Sequence, residues 1–185
     1  MRDSLVPSLV FLVRTLGDLY LLTYLLRFIM QWVRADFYNP LAQFVVRATN
    51  PLIVPARRVI PSPGGTDLPT LVILIALEAV LTWLLLLLVS ASVPALTFAW
   101  LVLLRVVNLT LWFYTVSIFI YVLLSWLAPG GYSPVGRLLA ELNEPILHPV
   151  RRLLPPLGGL DLSPLLVLIL IQAVRIALPL PGYLS

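Results

Sequence analysis

From residue 68 to residue 89 the chain carries a single charge, Glu78, and the run is long enough for a hydrocarbon core, which takes about 20 residues of helix. Similar apolar stretches lie at about 6–33, 98–127 and 162–180. A water-soluble domain of 185 residues has nowhere to bury four of them. Apolar residues make up 61% of the chain and charged residues 11%, with a mean hydropathy of +1.03, whereas soluble domains carry about 25% charged residues. A soluble globular enzyme is excluded. The expected fold is an all-α integral membrane protein with four transmembrane helices. The start of the chain is a poor signal peptide, because Arg14 interrupts its apolar run and no small-residue cleavage site follows; it is read as the beginning of the first span.

The chain is also a tandem duplication. At an offset of 94, residues 31–80 align with 125–174 without a gap. Trp32, Tyr38 and Pro40 meet Trp126, Tyr132 and Pro134, and Pro51, Pro55 and Pro61 meet Pro145, Pro149 and Pro155. Arg57, Arg58, Gly64, Gly65 and Asp67 meet Arg151, Arg152, Gly158, Gly159 and Asp161. The copies divide the chain into 1–93 and 94–185. Each contains two spans, so both face the same way, as parallel repeats. Seven Arg residues (34, 47, 57, 58, 137, 151 and 152) sit in the two long loops, against Arg2 alone on the other side. Positive-inside logic places both loops in the cytoplasm and both termini outside.

Each loop begins with a helix signal, Asn39-Pro40 or Ser133-Pro134, an N-cap residue followed by Pro at the first helical position. Leu41, Phe44, Val45 and Ala48, and in the second copy Val135, Leu138, Leu139 and Leu142, then recur at helical spacing. Each copy is expected to hold a short amphipathic helix, in the membrane interface or packed on the protein's own cytoplasmic face. The prolines that follow are expected to end it, with a new turn at Pro55 or Pro149 carrying the Arg pair. The Gly-Gly pairs then supply a tight turn, and Asp67, or Ser163 ahead of Pro164, caps the next span.

The doubled pattern Pro-x-x-x-Pro-x-Arg-Arg-x-x-Pro-x-x-Gly-Gly-x-Asp, at 51–67 and 145–161, resembles the YGGT family of small bacterial integral membrane proteins. The resemblance covers essentially the whole chain and includes Asn143-Glu144-Pro145-Ile146-Leu147. The first copy departs slightly, with Pro69 one position earlier than the Ser163-Pro164 pair implies. The resemblance implies the bacterial cytoplasmic (inner) membrane and a link to osmotic or envelope stress tolerance. Cyanobacterial and plastid relatives are linked to division, nucleoid distribution, thylakoid organisation and cytochrome assembly. No reaction is implied.

No catalytic set, metal site or cofactor is expected. His148 is the single histidine, no nucleophile motif accompanies it, and the chain has no Cys. The Gly-Gly pairs lack a phosphate-loop tail. The net charge of +4 is spread along the chain without the stripe that nucleic acid needs. Arg57, Arg58, Arg151 and Arg152 are candidates for an anionic phospholipid head group or a protein partner, since guanidinium forks near a helix start favour anions. The competing reading has one Arg of each pair bonding Asp67 or Asp161 and the other anchoring to lipid.

Within the spans, Arg14 and Asp18 are four apart and expected to pair. At 1.5 Å per residue, Asp18 and Arg175 lie about 20 Å from the cytoplasmic ends and Glu78 about 15 Å. Arg105 and Asn108 share the outer half, and Gln172 is the repeat counterpart of Glu78. Such residues either glue the bundle or line a path. The sequence favours a non-enzymatic scaffold or assembly factor that recruits a membrane or cytoplasmic protein. The alternative is a small ion or solute channel or transporter. Oligomeric state is not encoded in any of these features.

Overall fold

A computed structural model describes residues 2–62, 65–127, 133–153 and 161–184. The described residues form six helices and no strand: α1 (Arg2–Trp32), α2 (Pro40–Ala56), α3 (Leu68–Leu88), α4 (Ala95–Leu127), α5 (Pro134–Leu153) and α6 (Ser163–Ala177). Three stretches, Leu5–Trp32, Leu68–Leu88 and Ala95–Leu127, are long and apolar enough to cross a membrane. The fourth expected span is shorter than its apolar run. Helix α6 has 15 residues and is about 22 Å long at 1.5 Å per residue. It stops at Ala177 because Leu178 precedes Pro179 and adopts an extended backbone, ψ 125°.

Helices α1, α2 and α3 pack on one another, α4, α5 and α6 do the same, and α3 against α4 joins the groups. The interior is built from Tyr24, Met30, Ile53, Leu74, Leu85, Ile118, Leu142 and Leu147. Large apolar side chains such as Leu16, Trp83, Trp100, Phe119 and Ile169 face outward. Helices apolar on all sides are what a lipid solvent permits. Gly17 lets α1 approach α3: a Cβ there would lie 2.6 Å from Leu81 Cδ2.

The loop helices start as their sequences require. Asn39 Oδ1 accepts from Leu41 N at 3.0 Å, and Ser133 Oγ accepts from Gly136 N at 2.9 Å. They do not end at the prolines. Helix α2 runs through Pro51 and Pro55, and α5 through Pro145 and Pro149, so each is longer than the short helix expected. The reason is spacing. Prolines four apart lie on one face, and in both helices that face is exposed. The lost donors therefore orphan carbonyls on the outer side, while Ala42, Val45, Thr49 and Ile53 of α2 keep an unbroken buried stripe. That stripe is displaced from the expected one: Val45 is shared, but Leu41 and Phe44 point outward. In α5 the buried residues are Leu138, Leu142, Asn143 and Leu147, with Val135 exposed.

Candidate functional site

Three charges of the long apolar helices, Asp18, Glu78 and Arg105, meet at Arg105 of α4. Its Nε donates to Glu78 Oε1 of α3, its Nη2 to Asp18 Oδ1 of α1 at 2.8 Å, and its Nη1 to the Leu184 carbonyl at 2.6 Å. Thr82 Oγ1 adds a bond to Glu78 Oε1 at 3.4 Å. Arg105 is 4% exposed and Glu78 1%. Buried charges are tolerable when paired and hydrogen-bonded, and here one guanidinium fork is shared by two carboxylates and a carbonyl. Asp18 takes its direct bond from Arg105 of α4, with the Arg14 charge acting on it through space, and Arg14 Nη1 donates to the Gly182 carbonyl at 3.3 Å. Arg175 of α6 donates to Asn108 Oδ1 at 3.2 Å and to Gln172 Oε1 at 3.4 Å.

The loop motif forms a second locus. Arg57 Nη2 donates to Asp67 Oδ2 at 3.0 Å, and Thr70 Oγ1 donates to the same oxygen at 2.6 Å. Asp67 occupies the N-cap position of α3, but its side chain makes no capping bond there, contrary to expectation. Arg27 of α1 approaches it with Nε at 3.9 Å. Arg27 was visible in the sequence only as a charge inside a span, because its repeat counterpart is Tyr121. It is buried, and its Nη1 donates to Thr49 Oγ1 at 2.6 Å, Asn50 Oδ1 at 2.9 Å and the Val46 carbonyl at 3.3 Å. These acceptors lie in the turn just before Pro51.

In the second copy Arg151 Nε donates to Asp161 Oδ2 at 2.8 Å and its Nη1 to Glu144 Oε2 at 2.9 Å. Asp161 Oδ1 accepts from Ser163 N at 2.9 Å just ahead of α6, whose N-cap position is held by Leu162 and not, as expected, by Ser163. Partial burial opposes the Asp161 charge, but the bonds from Ser163 and Arg151 outweigh it and hold the carboxyl below its ordinary range. Burial likewise opposes the Arg151 charge, and the bond to Asp161 together with the influence of Tyr121 outweighs it, leaving Arg151 a stronger base than usual. Each Arg pair is therefore divided. Arg57 and Arg151 hold an Asp, while Arg58 and Arg152 are exposed and have no ion pair among the described residues. The expected turn at Pro55 or Pro149 is replaced by the end of the loop helix itself: Arg57 is its C-cap in α2, and Arg151 and Arg152 stand in the last turn of α5. Gly65 has φ +81°, the left-handed conformation expected of the turn. Gly64, Gly158 and Gly159 lie outside the described residues. His148 is on the exposed side of α5, 3.4 Å from Glu144.

The loop segments of the two copies touch. Asn39 Nδ2 donates to the Pro134 carbonyl at 2.6 Å, and Asp36 N to Glu141 Oε2 at 3.2 Å.

Fold and sites together define an all-helical protein of membrane-spanning type, in which a long helix, a loop helix and a second apolar helix occur twice in succession. The chain belongs to the CCB3/YggT family, which matches it twice, over residues 6–88 and 100–181. It is 47% identical to the uncharacterized protein PA0392 of Pseudomonas aeruginosa, over 89% of this chain and 85% of that one. It is 37% identical to the uncharacterized protein YggT of Escherichia coli K12, over 91% of this chain and 87% of that one. A Vibrio alginolyticus protein encoded in the proC 3′ region is 42% identical, over 89% of this chain and 90% of that one. No solved structure matches.

Proposed function

We propose that the protein is a non-enzymatic, multi-pass protein of the bacterial cytoplasmic membrane, with α6 as its fourth crossing. In this reading it is a scaffold or assembly factor in osmotic or envelope stress tolerance, recruiting a protein partner together with anionic phospholipid. The carrying observation is the joined loop face. The starts of α2 and α5 are tied across the copies, and the same loops expose Arg58 and Arg152, while Arg57 and Arg151 are spent on fixing them. Exposed Tyr38, Phe44 and Val59 supply the apolar complement of an interfacial surface. Closure of Asp18, Glu78 and Arg105 on one another supports glue rather than a conducting path.

The variant Arg58→Gln with Arg152→Gln should insert normally and yet fail to restore stress tolerance to cells lacking the protein. Full complementation would remove the recruitment reading. The channel or transporter alternative, running past Asp18, Glu78, Arg105 and Arg175, predicts ion or solute flux in liposomes that carry the purified protein.

A further inference from the structure

Helix α6 covers about 22 Å, less than a hydrocarbon core of about 30 Å, and the chain does not go on beyond Ala177 as a helix. Residues 178–184 instead pack back on the bundle. Leu184 is 1% exposed and belongs to the core, and Leu180 and Tyr183 lie half-buried against it. The two copies differ at this point. At the offset of 94, Pro179 and Pro181 meet Leu85 and Leu87, which are still helical in α3.

Non-helical backbone at membrane depth persists only where protein satisfies its polar groups. Pro179 and Pro181 carry no N–H. The N–H groups of Leu178, Leu180 and Leu184 donate to the carbonyls of Arg175, Leu178 and Pro181 at 3.3, 2.8 and 2.8 Å. The Leu184 carbonyl accepts from Arg105 Nη1 at 2.6 Å, and the Gly182 carbonyl from Arg14 Nη1 at 3.3 Å. A helix spends its carbonyls on itself, whereas this irregular segment turns one sideways to the buried guanidinium. The features that meet here are specific to their copy, since Arg105 faces Phe11 across the offset and Glu78 faces Gln172. Beside the junction lies a cavity of about 260 Å³, lined by Thr15, Asp18, Arg105, Asn108 and Arg175, with Leu184 in its wall.

We propose that residues 178–184 are a plug, latched by Arg105, that closes this cavity against the solution beyond the end of α6. Leu184 supplies the apolar seal and its carbonyl the latch. With the plug out, water reaches Asp18, Asn108 and Arg175, so the closure of the charge network depends on the plug as well as on its own pairs. The side to which the cavity opens rests on the reading of α6 as the fourth crossing, with its end outside.

The chain has no Cys, so a single Thr15→Cys reports on the cavity. The probe is a negatively charged, membrane-impermeant methanethiosulfonate, applied to intact cells whose outer membrane has been made passable. With the plug unaltered, Thr15→Cys should react slowly. Leu184→Arg places a cation in a core position beside Arg105, where it cannot stay unpaired. It should raise the labelling rate of Thr15→Cys about tenfold or more, as the plugged population falls. Leu184→Ala, which keeps the backbone and adds no charge, should give a smaller rise, and it alone decides if Leu184→Arg fails to insert. Ser92→Cys, paired with each Leu184 variant, reports insertion. The proposal falls if Ser92→Cys labels normally while the inserted Leu184 variants leave the Thr15→Cys rate unchanged. It falls equally if Thr15→Cys with the unaltered plug already reacts as fast as Ser92→Cys. Labelling of Ser62→Cys in place of Ser92→Cys would overturn the crossing reading and, with it, an outward-facing plug.

Discussion

At the scale of single residues, Arg105 carries the largest electrostatic responsibility. Its removal strands Glu78 and Asp18 together, so Arg105→Met should cost about 3–5 kcal/mol, the usual result of breaking a buried pair. Glu78→Gln should cost less, about 1–3 kcal/mol, because the amide oxygen still accepts from Arg105 and Thr82. Unfolding of both variants in detergent checks the order, and equal losses would show that Asp18 alone does not suffice to balance Arg105 once the Glu78 charge is gone. Asp161 gives a prediction in pH. Its carboxyl is held below the ordinary 3.8, so its ion pair stabilises the fold above that pH, and the contribution fades as pH falls through the lower folded value. The pair is partly exposed and worth about 0.2–1 kcal/mol. Asp161→Asn should therefore be slightly less stable than the unaltered chain at neutral pH, and the two should converge below pH 3.8. A constant gap down to strongly acid pH would refute this. The intramembrane residues of this network were all legible as unusual polar groups in apolar runs. Their partners were not. Spacing along one helix proposes Arg14 for Asp18, whereas the choice of Arg105 depends on how three helices pack.

At the scale of elements, the sequence located the starts of the loop helices well and their ends poorly. Asn39 and Ser133 are local signals, read from a side chain and the amides just after it. Pro51 and Pro55 act by context: a proline on the exposed face removes a bond that water or head groups replace, and the helix survives. Helices α1 and α3 stop without a glycine. Arg34 and Ser90 take the left-handed conformation, φ 55° and 53°, while Ala35 N bonds to the Met30 carbonyl and Ala91 N to the Leu86 carbonyl. These are six-to-one helix ends that composition does not announce. Gly17 was equally silent, since nothing in its neighbourhood shows that Leu81 of α3 packs where a side chain would be. Gly17→Val should force α1 from α3 and cost about 1–3 kcal/mol, as overpacking usually does. Gly17→Ala should be milder, because the Leu81 methyls can rotate. A neutral Gly17→Val in detergent unfolding would show that the α1–α3 contact is looser than the structure has it.

At the scale of the whole molecule, the duplication was the most informative feature of the sequence, because rare residues in register do not arise from composition. It located Arg57 with Asp67 and Arg151 with Asp161 at matching places, and the structure bonds both pairs. What it could not reveal lies where the copies differ. Arg27 faces Tyr121 across the offset and Glu78 faces Gln172, so the charge network belongs to no repeat and was invisible to their comparison. The same asymmetry bears on orientation. If seven loop Arg residues against one govern insertion, the segments after α1 and α4 are cytoplasmic and the link between α3 and α4 is outside. The buried network does not oppose this, since Arg14, Arg105 and Arg175 lie in the helices and contribute no loop charge. With no Cys in the chain, single substitutions report cleanly. Ser92, exposed in the α3–α4 link, and Ser62, exposed in the loop before α3, are suitable positions. In intact cells Ser92→Cys should react with a membrane-impermeant thiol reagent, once the outer membrane is made passable to it. Ser62→Cys should react only after the inner membrane is opened. Labelling of Ser62→Cys alone in intact cells would invert the topology and place the Arg58 and Arg152 face on the periplasmic side, away from cytoplasmic partners.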